Sequence, residues 1–242
     1  MSAPTTAKKP APIDRRAALA GFDILRGVSQ VELDALVTQC TWRAFEKGRE
    51  VIEQEGGSKD VYFVASGQVR ITIYAASGRE VAFRDLAPGA SFGELSAVDG
   101  LSRSTSVIAL EDSWLASISR DQFWLLLRTK PAVVENVVKG LVALVRNLTE
   151  RVVDYSTLGV RNRIQAELVR MARESKPQGN RCVISPAPKH VDIANRVSTN
   201  REEVAREFGH LTREKIIERG RGELVVLDLK RLMNMVERVR ED

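Results

Sequence analysis

Cysteine and histidine are scarce in this sequence, which removes several classes of protein from consideration. The two cysteines among the 242 residues, Cys40 and Cys182, form no C-x-x-C pair. A disulfide scaffold and a four-thiolate iron–sulfur cluster are therefore not expected, and a reducing cytoplasm fits. The two histidines, His190 and His210, lie late in the chain, so residues 41–118 offer no imidazole to a metal ion. The sequence predicts no metal cofactor and none of the histidine-bound metals of cupin-like enzymes.

Long apolar runs are also missing. No run approaches the roughly 20 residues that cross a bilayer, and the N-terminus has no signal-peptide core, so no membrane association is expected. Residues 1–13 are rich in Ala, Pro, Thr and Lys, and we expect a disordered tail over residues 1–19. The remaining length favours two domains.

Positive charge is distributed unevenly. Residues 1–159 carry 19 basic and 19 acidic side chains, whereas residues 160–242 carry 18 basic and 13 acidic ones. The whole net charge of +5 therefore lies in the C-terminal third. This asymmetry indicates a basic module for a polyanion joined to a neutral sensing or scaffolding module.

Strand patterns dominate the chain up to about residue 118, after a short helix at 29–40 that Ser29 can cap. Val69, Ile71 and Ile73 alternate with more polar residues, as in a half-buried strand. Turn signals recur about every ten residues, at 66–67, 76–78 and 88–89. This rhythm predicts a β-barrel or jelly roll, interrupted by an irregular insertion at 96–106.

The insertion carries the most informative motif. Phe92-Gly93-Glu94-Leu95 is followed by Arg103-Ser104-Thr105. Glycine lets backbone N–H groups approach a phosphate closely, and arginine supplies a fixed fork of donors to phosphate oxygens. A carboxylate beside a phosphate needs a donor of its own, and a ribose hydroxyl provides one. The motif favours a site that binds a nucleotide. The alternative is a solvated hairpin with no ligand.

A helical pattern begins at Pro131 and predicts a dimerisation helix over 131–158. Apolar residues recur along it at alternating spacings of four and three: Val134, Val138, Leu141, Val145, Leu148, Val152 and Tyr155. Such a seam indicates a coiled coil. Alternation of β-branched residues with leucine favours a parallel homodimer over a helix packed on its own domain. Leu158-Gly159 is a natural hinge into the next domain.

Residues 159–242 are predicted to form a winged helix-turn-helix domain. The pattern gives helices at about 160–174, 189–197 and 200–212, and strands at 215–217 and 224–227. Six residues are expected to face inward from the last two helices: Ile193, Ala194, Val197, Val204, Phe208 and Leu211.

The outer face of the 200–212 helix has the chemistry of a DNA reader. Arginine makes bidentate contacts to guanine, and glutamate accepts from the amino group of cytosine, which suits Arg201, Glu202 and Arg206. A Thr199–Glu202 capping box and ordinary solubilising charge are the alternatives. Four more residues are candidate DNA contacts: Thr199, Asn200, Arg213 and Arg221.

From about residue 20 to residue 240 the chain resembles the catabolite activator (cyclic AMP receptor) branch of the CRP/FNR transcription regulators. The barrel glycines, the 92–104 cassette, the long helix and the 200–206 stretch carry the resemblance, in that order. It implies an α+β fold with a cyclic-nucleotide-binding β-barrel or jelly roll at 20–130, the dimerisation helix and the winged domain. It also implies a homodimer on double-stranded DNA, with RNA polymerase as a further partner.

The resemblance assigns roles to single residues. Glu94 would bind the ribose 2′-hydroxyl and Arg103 and Ser104 the cyclic phosphate, with backbone groups of Gly93 and Leu95 completing the cradle. The family reads the purine with two adjacent polar residues on the dimer helix. These positions hold Leu148 and Thr149, of which the second alone has a hydroxyl. Cyclic AMP, cyclic GMP or both are therefore the expected ligands.

By the same resemblance, Arg201, Glu202 and Arg206 imply TGTGA-like half-sites arranged as a palindrome. The N-terminal cysteine cluster of oxygen-sensing relatives is absent, and the barrel has no histidine for haem iron. Three other readings stay open: a cupin-like enzyme, a regulator with a degenerate pocket that works without nucleotide, and a nucleotide-binding regulatory subunit of an enzyme or channel.

Overall fold

The computed structural model describes residues 13–74, 80–175 and 177–241. Close contacts divide the chain into two units, Met1–Ala143 and Leu144–Asp242. The boundary falls inside one long helix, so the predicted dimerisation helix contributes residues to both units.

The first unit starts earlier than the sequence predicts. Arg15–Ala20 form helix α1, whose N-terminus is capped by the side chain of Asp14. Leu19 is completely buried in the apolar core. The predicted tail of residues 1–19 is therefore wrong over this helix, while residues 1–12 lie outside the described part of the chain. Helix α2 (Gln30–Gln39) follows with Ser29 as its N-cap, as predicted.

Two four-stranded antiparallel sheets form the body of this unit, in the orders β1-β8-β3-β6 and β2-β7-β4-β5. Their strands are β1 (Thr41–Phe45), β2 (Glu50–Ile52), β3 (Val61–Ser66), β4 (Val69–Tyr74), β5 (Glu80–Leu86), β6 (Ser91–Phe92), β7 (Ser106–Ala109) and β8 (Ser113–Ile118). Apolar residues of both sheets meet in one cluster, which confirms the predicted β-barrel or jelly-roll domain. The predicted turn at 76–78 falls on 75–79, outside the described residues.

One strand is more deeply buried than its alternating pattern predicts. Arg70 and Thr72 on β4 are buried although they occupy the polar positions of the pattern. The guanidinium of Arg70 makes two bonds to the carboxylate of Asp85 on β5, at 2.7 and 2.9 Å. A bidentate ion pair satisfies the buried charge, so the polar face of the strand can also be covered.

The insertion is partly helical rather than irregular. Glu94–Asp99 form a short helix, α3, between β6 and β7. Helix α4 (Arg120–Thr129) follows the last strand, and α5 (Pro131–Thr157) matches the predicted dimerisation helix to within one residue.

The second unit contains the predicted helix-turn-helix. Helices α6 (Val160–Glu174), α7 (His190–Val197), α8 (Arg201–Arg213) and α9 (Leu229–Glu241) surround a three-stranded sheet. Its strands β9 (Cys182–Ile184), β10 (Ile217–Arg219) and β11 (Leu224–Val226) run in the order β10-β11-β9. The sequence predicted the wing pair and missed β9. All six residues predicted to face inward from α7 and α8 are buried.

Candidate functional site

Arg103 lies at the centre of the candidate site in the first unit. Its side chain is 3% exposed, and its guanidinium joins three segments of the chain. Nη1 donates to the carbonyl of Gly93 at 3.0 Å, and Nη2 donates to the carbonyl of Asp60 at 2.7 Å and to Ser58 Oγ at 3.3 Å. Three acceptors therefore fix the plane of the guanidinium.

Two of the five N–H groups of this guanidinium, one on Nε and one on Nη1, have no acceptor among the described residues and remain for a ligand. Arg103 Nε is buried and has no hydrogen-bond partner in the described part of the chain. Leaving a buried donor unsatisfied costs about 1–3 kcal/mol, more for a charged group. An anionic oxygen at this position would remove that cost, so the orphaned donor fits a phosphate.

Gly93 allows the guanidinium of Arg103 to lie close to the backbone of residue 93, on which this arrangement depends. Its φ of +90° lies in the left-handed region, and a Cβ at this position would lie 2.8 Å from both Arg103 Nη1 and the Asp60 carbonyl oxygen. A larger residue would therefore displace the guanidinium as well as strain the backbone.

Glu94 shares the electrostatic environment of Arg103. Burial raises the pKa of its carboxyl, whereas the positive charges of Arg84 and Arg103 oppose the rise. The structure thus brings Gly93, Glu94 and Arg103 together. Ser104 and the side chain of Leu95 are both exposed. A buried donor beside a partly buried carboxylate suits a monoanion that also carries a hydroxyl group.

Leu148 and Thr149 lie on α5 and are both exposed. The hydroxyl of Thr149 donates to the carbonyl of Val145 at 3.0 Å. Its oxygen keeps its lone pairs, so it can still accept a hydrogen bond from a ligand.

The predicted seam of α5 is an exposed apolar stripe with two exceptions, of which the first is Leu141, because it packs against the core of the first unit. Val138 is 52% exposed, Val145 62% and Val152 65%. Tyr155 departs from the stripe because its hydroxyl donates to the carbonyl of Arg196 on α7, at 2.7 Å.

The candidate DNA-reading residues on α8 are exposed. Asn200 caps the helix by accepting from the N–H of Glu203 at 2.9 Å, so the alternative Thr199–Glu202 capping box is wrong. Arg201 pairs with Glu202 at 3.1 Å, and Arg206 pairs with Glu203 at 2.9 Å. Such exposed pairs stabilise a protein by at most about 1 kcal/mol, so DNA can replace them.

Arg213 and Arg221 are also exposed, the latter in the turn between β10 and β11. Arg219 on β10 was not predicted as a functional residue. Its Nη2 lies 3.1 Å from His190 Nε2, and its guanidinium lies 5.9 Å from the ring centre of Phe208. Burial, with the charges of Arg219 and Arg201, lowers the pKa of His190. The wing strand thereby contacts the helix-turn-helix directly.

Comparison with known proteins agrees with this two-part organisation. A model of the cyclic nucleotide-binding domain matches residues 42–130, and a model of the Crp-like helix-turn-helix domain matches residues 162–235. Together the two models match more than half of the chain. The chain belongs to the CRP/FNR family of transcription regulators.

This CRP/FNR regulator has relatives of similar length. It is 28% identical over 211 residues to the cyclic AMP receptor protein of Thermus thermophilus, over 85% of this chain and 93% of the relative. A CRP-like cAMP-activated global transcriptional regulator of Mycobacterium tuberculosis is 26% identical, over 79% of this chain and 88% of the relative. A CooA mutant from Carboxydothermus hydrogenoformans has the same fold, with a TM-score of 0.73 at 20% identity over 84% of this chain and 90% of that one.

The family places this CRP/FNR regulator among DNA-binding proteins rather than enzymes. Across the residues that the structure describes, no group of three or more His, Cys, Asp or Glu side chains is arranged to hold a metal ion. None of the described helices combines the length and apolar character of a membrane span.

A buried ion-pair cluster lies in the second unit of the regulator. Its members are Arg151 and Asp154 on α5, Glu167 and Arg170 on α6, and Arg196 on α7. Glu167 Oε2 lies 3.2 Å from Arg151 Nη2 and 3.0 Å from Arg170 Nε, and its Oε1 lies 3.0 Å from Arg196 Nη1. Arg170 also pairs with Asp154 at 2.6 Å.

The cluster fixes the end of α5 to the helix-turn-helix. Burial alone would raise the pKa of Glu167, but three arginines outweigh it and hold the pKa below its usual range. The helix break at the predicted hinge is confirmed, since α5 ends at Thr157 and Gly159 caps α6. Leu158 beside it is buried, and its carbonyl accepts from Arg163 at 3.1 Å. Contacts therefore hold both sides of the break.

Proposed function

We propose that this regulator binds cyclic AMP and/or cyclic GMP in its β domain, and that occupancy favours the binding of a homodimer to a palindromic TGTGA-like DNA site. The observation that carries the proposal is the guanidinium of Arg103. It is buried and fixed by three acceptors, and its Nε–H is left for the oxygen of an anion.

Glu94 supplies the second half of the site. A carboxylate with a phosphate nearby is repelled unless it accepts a hydrogen bond from the same ligand. The ribose 2′-hydroxyl is such a donor. Ser104 completes the phosphate contacts with its hydroxyl, and the backbone groups of Gly93 and Leu95 complete the cradle. A cyclic nucleotide supplies one phosphate and one free hydroxyl side by side.

The apolar stripe on α5 supports the homodimer. Val138, Val145 and Val152 are each more than half exposed in the single chain. Pairing two such helices in parallel removes these side chains from water. Thr149 and Leu148 lie along the same helix and would meet the purine of the bound nucleotide.

The winged domain supports a DNA-binding role. The whole net positive charge of the chain lies in residues 160–242, and Arg201, Glu202 and Arg206 are exposed on α8. In a two-fold dimer, two such helices enter successive major grooves roughly 34 Å apart. Thr199, Asn200, Arg213 and Arg221 contact the flanking backbone. The regulator then acts on promoters in the cytoplasm, together with RNA polymerase.

Nucleotide binding alters DNA binding only through a difference in affinity between two arrangements of the dimer. The decisive experiment measures DNA affinity by fluorescence anisotropy, on a site selected from a random DNA library, without nucleotide and with cyclic AMP or cyclic GMP. We expect at least one nucleotide to tighten binding about 10-fold or more. Equal affinity under all three conditions would instead favour a family member that works without nucleotide.

A single substitution on α8 tests the DNA-reading face. Arg206→Ala should weaken binding to the selected site by about 1–3 kcal/mol and relax the base preference at one position of each half-site. Arg43→Ala is the matched control, because it removes the same charge from an exposed position on β1. A uniform loss across all DNA sequences would reassign Arg206 to a phosphate contact.

A further inference from the structure

Helix α8 carries one carboxylate on its inner face. Val204, Phe208 and Leu211 are buried in the apolar cluster of the second unit. Glu207 lies on the same face by the 3.6-residue period and is 5% exposed. A buried carboxylate is costly unless other groups compensate its charge and satisfy its oxygens. The partners of Glu207 therefore decide what this residue contributes.

Two residues of α6 hold the two oxygens of that carboxylate. Gln165 Nε2 donates to Glu207 Oε1 at 2.6 Å, and Arg161 Nε lies 2.8 Å from Glu207 Oε2. Gln165 is 1% exposed, and its own oxygen accepts from Asn162 Nδ2 at 3.2 Å, which turns the amide nitrogen toward Glu207. Gln165 and Arg161 are four residues apart, so they reach α8 from successive turns of one helix.

These bonds fix the orientation of α8 in a way that apolar packing does not. The hydrophobic contribution of Val204, Phe208 and Leu211 is non-directional, so it tolerates small rotations of the helix. Hydrogen bonds weaken steeply when their distance or angle departs from the favoured range. A carboxylate held at both oxygens therefore resists rotation of α8 about its axis and sliding of α8 along α6.

The rotation of α8 matters for DNA reading because Arg206 directly precedes Glu207. A rotation of about 20° moves an atom about 6 Å from the helix axis by about 2 Å. A bidentate contact between Arg206 and a base needs donors and acceptors within about 3.2 Å of each other. A rotation of that size would therefore break the contact.

We propose that Gln165 and Glu207 are positioning residues for DNA reading, because their bond sets the angle at which α8 presents Arg206 to a base pair. This inference rests on the proposed function. The alternative is a pair that only stabilises the domain. Buried charged groups are weak evidence for stability, since apolar residues of similar volume are often neutral or stabilising in their place. The two roles therefore predict different results for the same variant.

Replacing both residues by leucine separates the two roles. Gln165→Leu combined with Glu207→Leu leaves Arg161 and Asn162, neither of them buried, to bond with water. We expect a thermal unfolding midpoint equal to that of wild type or higher. The ratio of the affinities for the selected DNA site and a scrambled site should nonetheless fall at least about 10-fold, the discrimination of one bidentate contact. Fluorescence anisotropy with the full-length protein measures both affinities, under the nucleotide condition that gives the tightest binding.

A second variant covers the case in which the double-leucine variant does not fold. Gln165→Met keeps the length of the side chain and removes the donor, so it should lose the same selectivity. Glu207→Gln is the conservative variant, because its amide oxygen still accepts from Gln165. Its selectivity should stay within about 3-fold of wild type, since the hydrogen bond is kept.

Glu214→Gln is the matched control for the lost charge. Glu214 directly follows α8, and its carboxylate pairs with Arg231 at 2.6 Å in an exposed position. The control removes the same charge from the DNA-binding domain without touching the contact between α6 and α8. Because exposed pairs contribute little, it should change the selectivity less than about 3-fold.

The half-site position at which selectivity is lost identifies the cause. The double-leucine variant should relax the same position as Arg206→Ala, and adding Arg206→Ala to it should cost little more. Three results would overturn the inference: full selectivity in a folded double-leucine or Gln165→Met variant, a loss in Glu207→Gln as large as in either of them, or a loss only at positions that Arg206→Ala leaves unchanged. In each of them the proposed DNA-reading face stands. Equal binding of the selected and scrambled sites by wild type would reject that face and this inference together.

Discussion

Arg103→Ala is expected to weaken cyclic nucleotide binding at least about 100-fold and to remove any effect of the nucleotide on DNA affinity. A hydrogen bond to a charged group contributes about 1.5–3 kcal/mol, and truncating one partner of a buried charge pair costs 2–5 kcal/mol. The substitution removes the buried donor and the positive charge together. Isothermal titration calorimetry with cyclic AMP and cyclic GMP measures the loss directly.

The same arginine also holds the site together, so binding and folding must be separated. Without its guanidinium, the carbonyls of Gly93 and Asp60 lose their donor. Arg120→Ala is the matched control, because Arg120 Nε is already satisfied by the carbonyl of Ala97 on α3, at 2.9 Å. Ser58→Ala removes one acceptor of Arg103 and leaves Nε untouched. Both controls should bind nucleotide within about 5-fold of wild type.

Thermal unfolding of each variant completes this test. A folded Arg103→Ala variant that titrates like wild type would contradict the pocket assignment. If Arg103→Ala loses both nucleotide binding and a sharp unfolding transition, Glu94→Gln is the variant to test instead, because it keeps the shape of the side chain. Glu94→Gln should also weaken binding, because a neutral amide oxygen accepts more weakly than a carboxylate from the ribose hydroxyl.

The candidate site was predictable from the sequence only where its residues lie close together along the chain. Gly93, Glu94 and Arg103 belong to one short motif, and the structure brings them together. The acceptors that fix Arg103 lie more than 40 residues away, at Ser58 and Asp60. No local pattern identifies them, because chain folding alone brings these residues to the arginine.

Strand register sets a similar limit. The ion pair of Arg70 with Asp85 depends on which residue of β5 Arg70 faces, and a shift of one residue would move one of the two side chains to the other face of the sheet. The turn residues at 76–78 predict that these strands pair, but not in which register. Only the observed register places Arg70 opposite Asp85.

The helical part of the fold was more accessible to prediction. The 3.6-residue period identified the buried faces of α7 and α8 because each helix buries one stripe. Helix α1 was missed because its six residues directly follow a polar, proline-containing stretch that predicts a disordered chain. Strand β9 was missed because it pairs with β11, about 40 residues further along the chain, so no hairpin turn signals it. Tyr155 fits the seam of α5 by spacing alone, but its hydroxyl finds a partner on α7.

Glu167→Gln should destabilise the second unit by about 3–5 kcal/mol, the usual cost of removing one partner from a buried ion pair. Glu167 is 1% exposed and accepts from arginines on three helices. The amide cannot compensate their charges, so positive charge stays buried and unpaired. Urea titration followed by circular dichroism measures the loss. Glu135→Gln on α5 is the matched control, since its pair with Lys139 is exposed and its removal should leave the unfolding midpoint unchanged.

The pH dependence of stability gives an independent check on the role of Glu167. Because its pKa is lower in the folded protein than in the unfolded chain, the carboxylate stabilises the fold above its ordinary pKa of about 4.3. This contribution declines as the pH falls through the folded pKa, so wild type and Glu167→Gln should converge in stability toward low pH. A constant difference from pH 7 to pH 3 would mean that the loss comes from packing. Glu167→Leu combined with Arg196→Met should recover part of the stability lost in Glu167→Gln, because one positive and one negative charge then leave the cluster together and its net charge stays as in wild type.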